Sequence, residues 1–263
     1  MECYEHGLIT KQDTGGVELK WGSSEAAVWL TEMIGERRGL GDLLADCVKR
    51  AAERIGGGAE RFAVHVMGCE PGMHDPKLAP TYMVSFLLDD APGTHMQALY
   101  APGLYAKGIN PAPPREETAG LGEFHRTLMS LGHVVNCAGV CAFGYMSYEV
   151  DFVTDFLTAV TGEPWDLERW RLAGERIANI RHAFNLREGH NMAEWTAHPR
   201  VVGSPPLQAG PHAGFTVDVE TLRRDYFAAM GWNPQTACPS AERLRMLGLD
   251  DLIDAVAEPA ESA

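Results

Sequence analysis

Apolar residues recur at helical spacing over most of this chain, and that periodicity constrains the fold more than any other feature. Residues 24–37 and 166–187 show it most clearly, and further helices are predicted over 146–161 and 218–229. Alternating strand patterns are scarce, and residues 61–68 are the best candidate strand. The pattern therefore predicts a mainly α protein with few or no strands.

The stretch from residue 69 to 123 is rich in glycine and proline, which break regular elements into loops. Long ordered loops inside a compact protein are often functional. A structured linker between two helical parts fits the same composition, so both interpretations stay open at this point.

Composition excludes some classes of partner. The formal net charge is −14 over 263 residues, whereas nucleic acid and anionic membranes are bound by clustered Lys and Arg. No run approaches the roughly 18 uninterrupted apolar residues of a membrane span. The first residues are polar and acidic, so we expect no signal peptide and a cytoplasmic location.

The six cysteines are scattered and form no C-x-x-C pair, so neither a disulfide framework nor a common zinc motif is expected. Cys47 falls on the apolar face of a helix predicted over 42–55, and we expect a buried, inert thiol there. Cys137 and Cys141 lie around Gly139 in an apolar run. Two packed thiols, on a helix face or around a turn, are favoured by the pattern alone; a soft thiolate ligand of an iron–sulfur cluster is the functional alternative.

Among the ten histidines, His95 differs because it lies between two glycine-proline turns. A titratable ring held on a turn suits general acid–base chemistry, although one loop histidine is weak support for it. His182 and His190 flank the end of the predicted long helix, where the helix dipole favours a cation.

Four segments go beyond general pattern: residues 1–10, 39–52, 184–189 and 226–249. In this order, they resemble the segment ECYEKGLLT, the helix after it, the segment FNLREG and the ending GWD…P…LGL of the aldehyde ferredoxin oxidoreductase family, which are tungsten enzymes. The resemblance concerns the C-terminal portion of the family and extends along nearly the whole chain. The resemblance implies helical domains, with residues 1–64 as the end of the middle domain and residues 65–263 as the C-terminal domain.

The resemblance also implies a site. Residues 136–141 correspond to the family's second D-x-x-G-L-C motif, which makes Cys141 the fourth ligand of a [4Fe–4S] cluster. The backbone of Val140 and Ala142 is then expected near a pterin. Asn136 stands where the motif has aspartate; an amide can still accept a hydrogen bond from a pterin, but it supplies no charge.

His95 matches the family's histidine beside the metal, where it would bond the metal's oxygen ligand or the substrate carbonyl and handle a proton. The flanking sequence Asp90-Ala91-Pro92-Gly93-Thr94 lacks the arginine of the family's NRGACHL segment, so substrate class or pterin contacts can differ.

The implied reaction is oxidation of an aldehyde to a carboxylate with water. The implied cofactors are a tungsten (or molybdenum) bis-pterin and the [4Fe–4S] cluster, and electrons would pass to ferredoxin. The family's first three cluster cysteines precede the region matched here. We therefore expect either a fragment of a full enzyme or a separate subunit that is completed by a partner carrying the N-terminal part. The alternative is a cofactor-free helical scaffold or binding module. A homodimer is possible in each case.

Overall fold

The computed structural model describes residues 1–98, 113–145, 149 and 151–256. Short 3-10 turns cover Ala59–Phe62, Met192–Glu194 and Asp250–Leu252. The described residues form these α-helices: α1 Glu2–Glu5, α2 Ser24–Gly35, α3 Leu40–Leu44, α4 Cys47–Ile55, α5 Thr81–Leu88, α6 Leu121–Cys137, α7 Ala142–Tyr145, α8 Asp151–Thr161, α9 Leu167–Arg187, α10 Pro199–Val202, α11 Val219–Met230 and α12 Ala241–Met246.

The prediction of a mainly α fold is confirmed. Isolated bridges, such as Val66 with Cys69 and with Ala197, are the only β pairing in the described ranges. The strand expected over residues 61–68 is wrong: its first part is a 3-10 turn, and Met67 and Gly68 have positive φ, which ends the extended backbone.

Helices α2, α8, α9 and α11 occur where the periodicity predicts them, whereas the 17-residue helix α6 was not predicted. Side chains begin α9 and α11. Asp166 accepts a hydrogen bond from the backbone N–H of Arg169 at the start of α9, and Asp218 does the same for Thr221 at the start of α11. Helix α8 begins at Asp151, within the predicted 146–161; residues 146–148 and 150 lie outside the described residues.

Helix α6 is the centre of the main core. Twelve of its 17 residues are buried, and it packs against α9 on one side and α11 on another. Trp170 of α9 is fully buried, and its indole N–H donates to the carbonyl of Leu131 at 3.0 Å. Helix α5, inside the glycine- and proline-rich stretch, is also almost entirely buried. That stretch is therefore partly core, not only loop.

Glycine permits the two close helix crossings of α6. A Cβ at Gly174 of α9 would lie 1.7 Å from the Ser130 carbonyl oxygen, and a Cβ at Gly122 would lie 2.5 Å from the backbone of Asp225 in α11. Backbone atoms cannot move away as a flexible side chain can. The three helices can approach this closely only because neither position carries a side chain.

The first 63 residues bury apolar side chains in clusters of their own, one around Leu19 and Ala26 and one around Ala59. Polar contacts connect this part to the rest, including an Arg200–Glu2 ion pair at 2.8 Å. The division into domains at residues 64 and 65 stays a prediction.

One prediction within this part is wrong. The helix expected over 42–55 is broken into α3 and α4, and Cys47 at the start of α4 is exposed, with φ of +70°. An unbroken helix would place this thiol on the apolar face. The turn between α3 and α4 rotates it away from that face. No helix among the described residues is long and apolar enough to cross a membrane.

We expect Gly174→Ala to destabilise the fold by about 3 kcal/mol or more, because the added methyl group overlaps the Ser130 carbonyl and the helices must separate. Urea denaturation followed by circular dichroism measures this change. Gly35→Ala is the matched control: a Cβ there meets nothing within 4 Å, so the free energy of unfolding should be unchanged or higher. Equal effects of the two substitutions would contradict the close crossing.

Candidate active site

The loop after α5 holds His95 in a tightly packed turn. The backbone N–H of Gly93 donates to the carbonyl of Phe86 at 2.8 Å. Gly93 has φ of +76°, and a Cβ there would lie 3.3 Å from the Cβ of Cys69. Both the backbone angle and the close contact require glycine, so the proline-glycine pair that marked this loop in the sequence shapes it.

The imidazole of His95 is half-buried and surrounded by rings. His74 lies edge-on at 4.4 Å between ring centroids, and Phe86 lies edge-on at 6.4 Å. His74 in turn stacks on Tyr82 at 4.6 Å. Gly72 lies directly beneath the His95 ring, where a Cβ would come within 2.3 Å of Nδ1. These contacts restrict the orientation of the ring.

Burial lowers the pKa of His95 below its usual value, and repulsion by a protonated His74 lowers that pKa further. The ring is therefore neutral near pH 7 and can accept a proton. This is the form that a general base or a hydrogen-bond partner of a substrate needs.

The C-terminal end of α6 shows the surroundings of the two cysteines. Helix α6 ends at Cys137, and Gly139 with φ of +71° reverses the chain, so that the backbone N–H of Val140 donates to the carbonyl of Val135 at 3.2 Å. Cys141 follows the turn. Both thiols are exposed, so neither is a packed core thiol.

Val140 and Ala142, the residues on either side of Cys141, pack partly buried against the main core. Their contacts hold the Cys141 thiol outward. Among the described residues, no group of three potential metal ligands includes this thiol. An exposed thiol on a turn, with open space around Gly139, fits a single ligand of a cluster whose other ligands approach from outside the described residues.

One hydrogen bond joins the two predicted parts of the site. The side-chain N–H of Asn136 donates to the backbone carbonyl of Met96 at 3.1 Å, next to His95. The loop of His95 and the turn before Cys141 therefore lie side by side. An ionised aspartate at position 136 could not donate this hydrogen bond. The bond therefore explains why an asparagine suits this position.

Sequence reasoning missed the residues that orient His95. His74 and Gly72 lie in the same glycine- and proline-rich stretch, and a second histidine in that stretch was the available signal. It also missed Arg181, whose guanidinium pairs with Asp90 and lies 3.4 Å from the side-chain oxygen of Gln97. Arg181 thus connects the two ends of the loop that carries His95.

His182 corrects an expectation. It is fully buried, not an exposed cation near the helix end, because it lies on the face of α9 that packs against Trp232. Its ring stacks on Trp232 at 4.0 Å, and its Nε2 lies 2.8 Å from the carbonyl oxygen of Ala237. Burial lowers the pKa of His182 to about 4, so the ring is neutral.

The family of this chain follows from a comparison with known proteins. The model of the family described as "Aldehyde ferredoxin oxidoreductase, domains 2 & 3" matches residues 1–249. The chain belongs to this family, and the resemblance inferred from the four sequence segments is confirmed.

Individual relatives are similar to this chain over nearly its whole length. The tungsten-containing aldehyde ferredoxin oxidoreductase of Pyrococcus abyssi is 28% identical over 259 residues, which cover 96% of this chain and 42% of the relative. The aliphatic sulfonate oxidoreductase, WOR-like subunit, of Pyrococcus furiosus is 27% identical over 264 residues, covering 95% of this chain and 38% of the relative. The chain therefore spans less than half the length of these curated relatives.

A solved structure has a similar fold. It is the active site complex BamBC of benzoyl coenzyme A reductase with 1,5-dienoyl-CoA, and it aligns with a TM-score of 0.66 at 21% identity. The alignment covers 96% of this chain and 43% of that chain. At this identity the likeness concerns the fold alone.

We expect His74→Asn to raise the pKa of His95, because it removes a repelling cation and also opens the ring to water. Both effects have the same sign. An NMR titration of the imidazole protons measures the shift. His190→Asn, which changes a histidine in the loop after α9, is the control and should leave the pKa of His95 unchanged. An unchanged pKa of His95 in His74→Asn would contradict the ring contact between His74 and His95.

Proposed function

We propose that this chain supplies the second and third domains of an oxidoreductase that converts an aldehyde and water to a carboxylate. When bound, a tungsten (or molybdenum) bis-pterin would supply a Lewis acid and an acceptor for the two electrons, and a [4Fe–4S] cluster with Cys141 as one ligand would carry them on to ferredoxin. Family membership and the tungsten-containing relatives support this proposal.

The observation that carries the proposal is the hydrogen bond between Asn136 and the carbonyl of Met96. It holds the candidate acid–base residue, His95, beside the turn that presents the candidate cluster ligand, Cys141. This places a proton-handling group and a candidate electron carrier in neighbouring segments.

His95 acts as the acid–base residue in this proposal. Its neutral imidazole accepts a proton from the attacking water, or donates a hydrogen bond to the carbonyl oxygen of the aldehyde. Gly72 and His74 restrict the orientation of the ring. Burial, and then the charge of His74, lower the pKa of His95, so the imidazole stays neutral near pH 7.

Cys141 provides one thiolate to the cluster, and the other ligands come from outside the described residues. The backbone of Val140 and Ala142 lines the pterin side of this turn, and Asn136 keeps its side-chain oxygen available for a pterin amino group. Exposed apolar side chains flank the site, namely Met73, Met96 and Phe143, and the pterin-binding part covers them in the assembled enzyme.

In the complete enzyme, His95→Asn should lower kcat by about a hundredfold or more while the tungsten and iron contents stay at the wild-type level. The asparagine keeps a polar side chain but cannot exchange a proton near pH 7. Steady-state kinetics with an aldehyde panel and metal analysis measure the two quantities. Unchanged turnover would remove His95 from the proton chemistry.

In the complete enzyme, Cys141→Ser should lower the iron content per protein molecule, because a serine hydroxyl is a poorer cluster ligand than a thiolate. Cys137→Ser is the matched control: it changes an equally exposed thiol four residues away, and the iron content should not change. Iron analysis and the electron paramagnetic resonance of the reduced cluster provide the readout. Iron loss in both variants, or in neither, would contradict the assignment of Cys141.

A further inference from the structure

A second group of titratable side chains lies inside the protein, apart from the exposed turn of Cys141. Asp89 and Asp90 follow the end of α5, and His133 lies on α6. One ligand atom from each of the three residues lies within 4.8 Å of the others. The residue exposures are 3% for Asp89 and 1% for His133, and the Asp90 side chain is 4% exposed.

The group lacks the partners that buried polar atoms normally have. Neither ring nitrogen of His133 makes a hydrogen bond, and Oδ2 of Asp89 and Oδ1 of Asp90 make none either. Buried polar groups without a partner are rare in folded proteins, because each costs about 1–3 kcal/mol. Three adjacent residues with such atoms indicate a ligand between them.

The remaining oxygen of each carboxylate is already engaged. Oδ1 of Asp89 accepts a hydrogen bond from the backbone N–H of Asp90 at 3.2 Å, and Oδ2 of Asp90 pairs with the guanidinium of Arg181. One oxygen of each carboxylate and one imidazole nitrogen lie close enough to share a ligand. Ligating carboxylates in metal sites are commonly held in this way by a hydrogen bond on the second oxygen.

We propose that Asp89, Asp90 and His133 bind a divalent cation of the manganese, zinc or iron class. Two carboxylate oxygens and an imidazole are a donor set that suits these ions. Donor atoms at about 2.1 Å from one metal can be at most about 4.2 Å apart, so the observed spacing requires only a small contraction. The cation balances the two carboxylates, of which Arg181 neutralises only one.

His125 completes the surroundings. It is fully buried on α6, and its Nε2 lies 3.6 Å from Oδ2 of Asp89, while its Nδ1 lies 3.2 Å from the hydroxyl of Thr81. The Thr81 contact orients the ring toward the carboxylate, as an outer partner does in a metal site. Among the described residues, the titratable groups near this position are the three ligands, His125 and Arg181, together with Tyr226 and His182, which also interact electrostatically with Asp89.

The cation would join the end of α5 to α6, and through the Asp90–Arg181 pair to α9. These are the elements that carry the loop of His95. The site is enclosed by protein, as structural metal sites are. Removal of the cation should therefore lower the thermal stability of the protein. It should change the proposed activity only by displacing the loop that carries His95.

The test uses Mn²⁺, because manganese prefers oxygen and imidazole ligands and avoids the exposed thiols. The 263-residue chain is stripped with a chelator and titrated with Mn²⁺, and the free ion is followed by electron paramagnetic resonance. We expect about one bound ion per chain and a higher melting temperature with the metal than without it.

Two variants report on the ligands. Asp89→Asn and His133→Leu should each weaken Mn²⁺ binding by about tenfold or more. His133→Leu should fold as well as the wild type, since its ring makes no hydrogen bond that the leucine would lose. Glu123→Gln, which changes an exposed carboxylate on the same helix, is the control and should bind Mn²⁺ normally.

Several outcomes would overturn the proposal. A wild-type chain that neither binds Mn²⁺ nor melts higher in its presence would indicate a shared proton or a buried water in place of the metal. Equal binding by His133→Leu and the wild type would place the ion elsewhere. Neither outcome bears on Cys141, so the proposed oxidoreductase function would stand or fall separately.

Discussion

The close packing of α6 against α9 and α11 is the constraint on which the rest of the structure depends. Gly174 and Gly122 let backbone meet backbone, and the indole of Trp170 satisfies the carbonyl of Leu131 inside the contact. This packing positions the two ends of α6 precisely. Its C-terminal end then leads into the turn of Cys141, so the geometry of the candidate site follows from a helix crossing several turns away.

The candidate site combines a rigid part with an open part. His95 is enclosed by rings and by Gly72, which restricts its orientation and lowers its pKa. Cys141 is exposed on a turn whose flanking residues pack against the core. A proton-handling group benefits from burial, whereas a ligand shared with another segment must reach outward. The two environments match the two proposed roles for this physical reason.

Helices α2, α8, α9 and α11 could be predicted from the sequence, because amphipathic periodicity is a local signal, whereas the central helix α6 was not predicted. Helices α9 and α11 begin after the predicted Asp166 and Asp218. Family membership could also be inferred, from four short segments. Periodicity failed where backbone turns intervene: Cys47 follows a break between two helices and is exposed. His95 and Cys141 stay predictions as site residues; each carries a local sequence signal, whereas Arg181, which pairs with Asp90, carries none.

The sequence by itself determined the helical class, the family and the identity of the groups available for chemistry. Only the tertiary structure decided which of those groups meet. Asn136 and Met96 are 40 positions apart, and Asp90 and His133 are 43, so no local pattern could connect them. Their meeting depends on helix packing and loop closure, which are long-range effects. The same packing buried His182 and left Cys141 at the surface, because burial is a property of neighbours in space and not of neighbours in the chain.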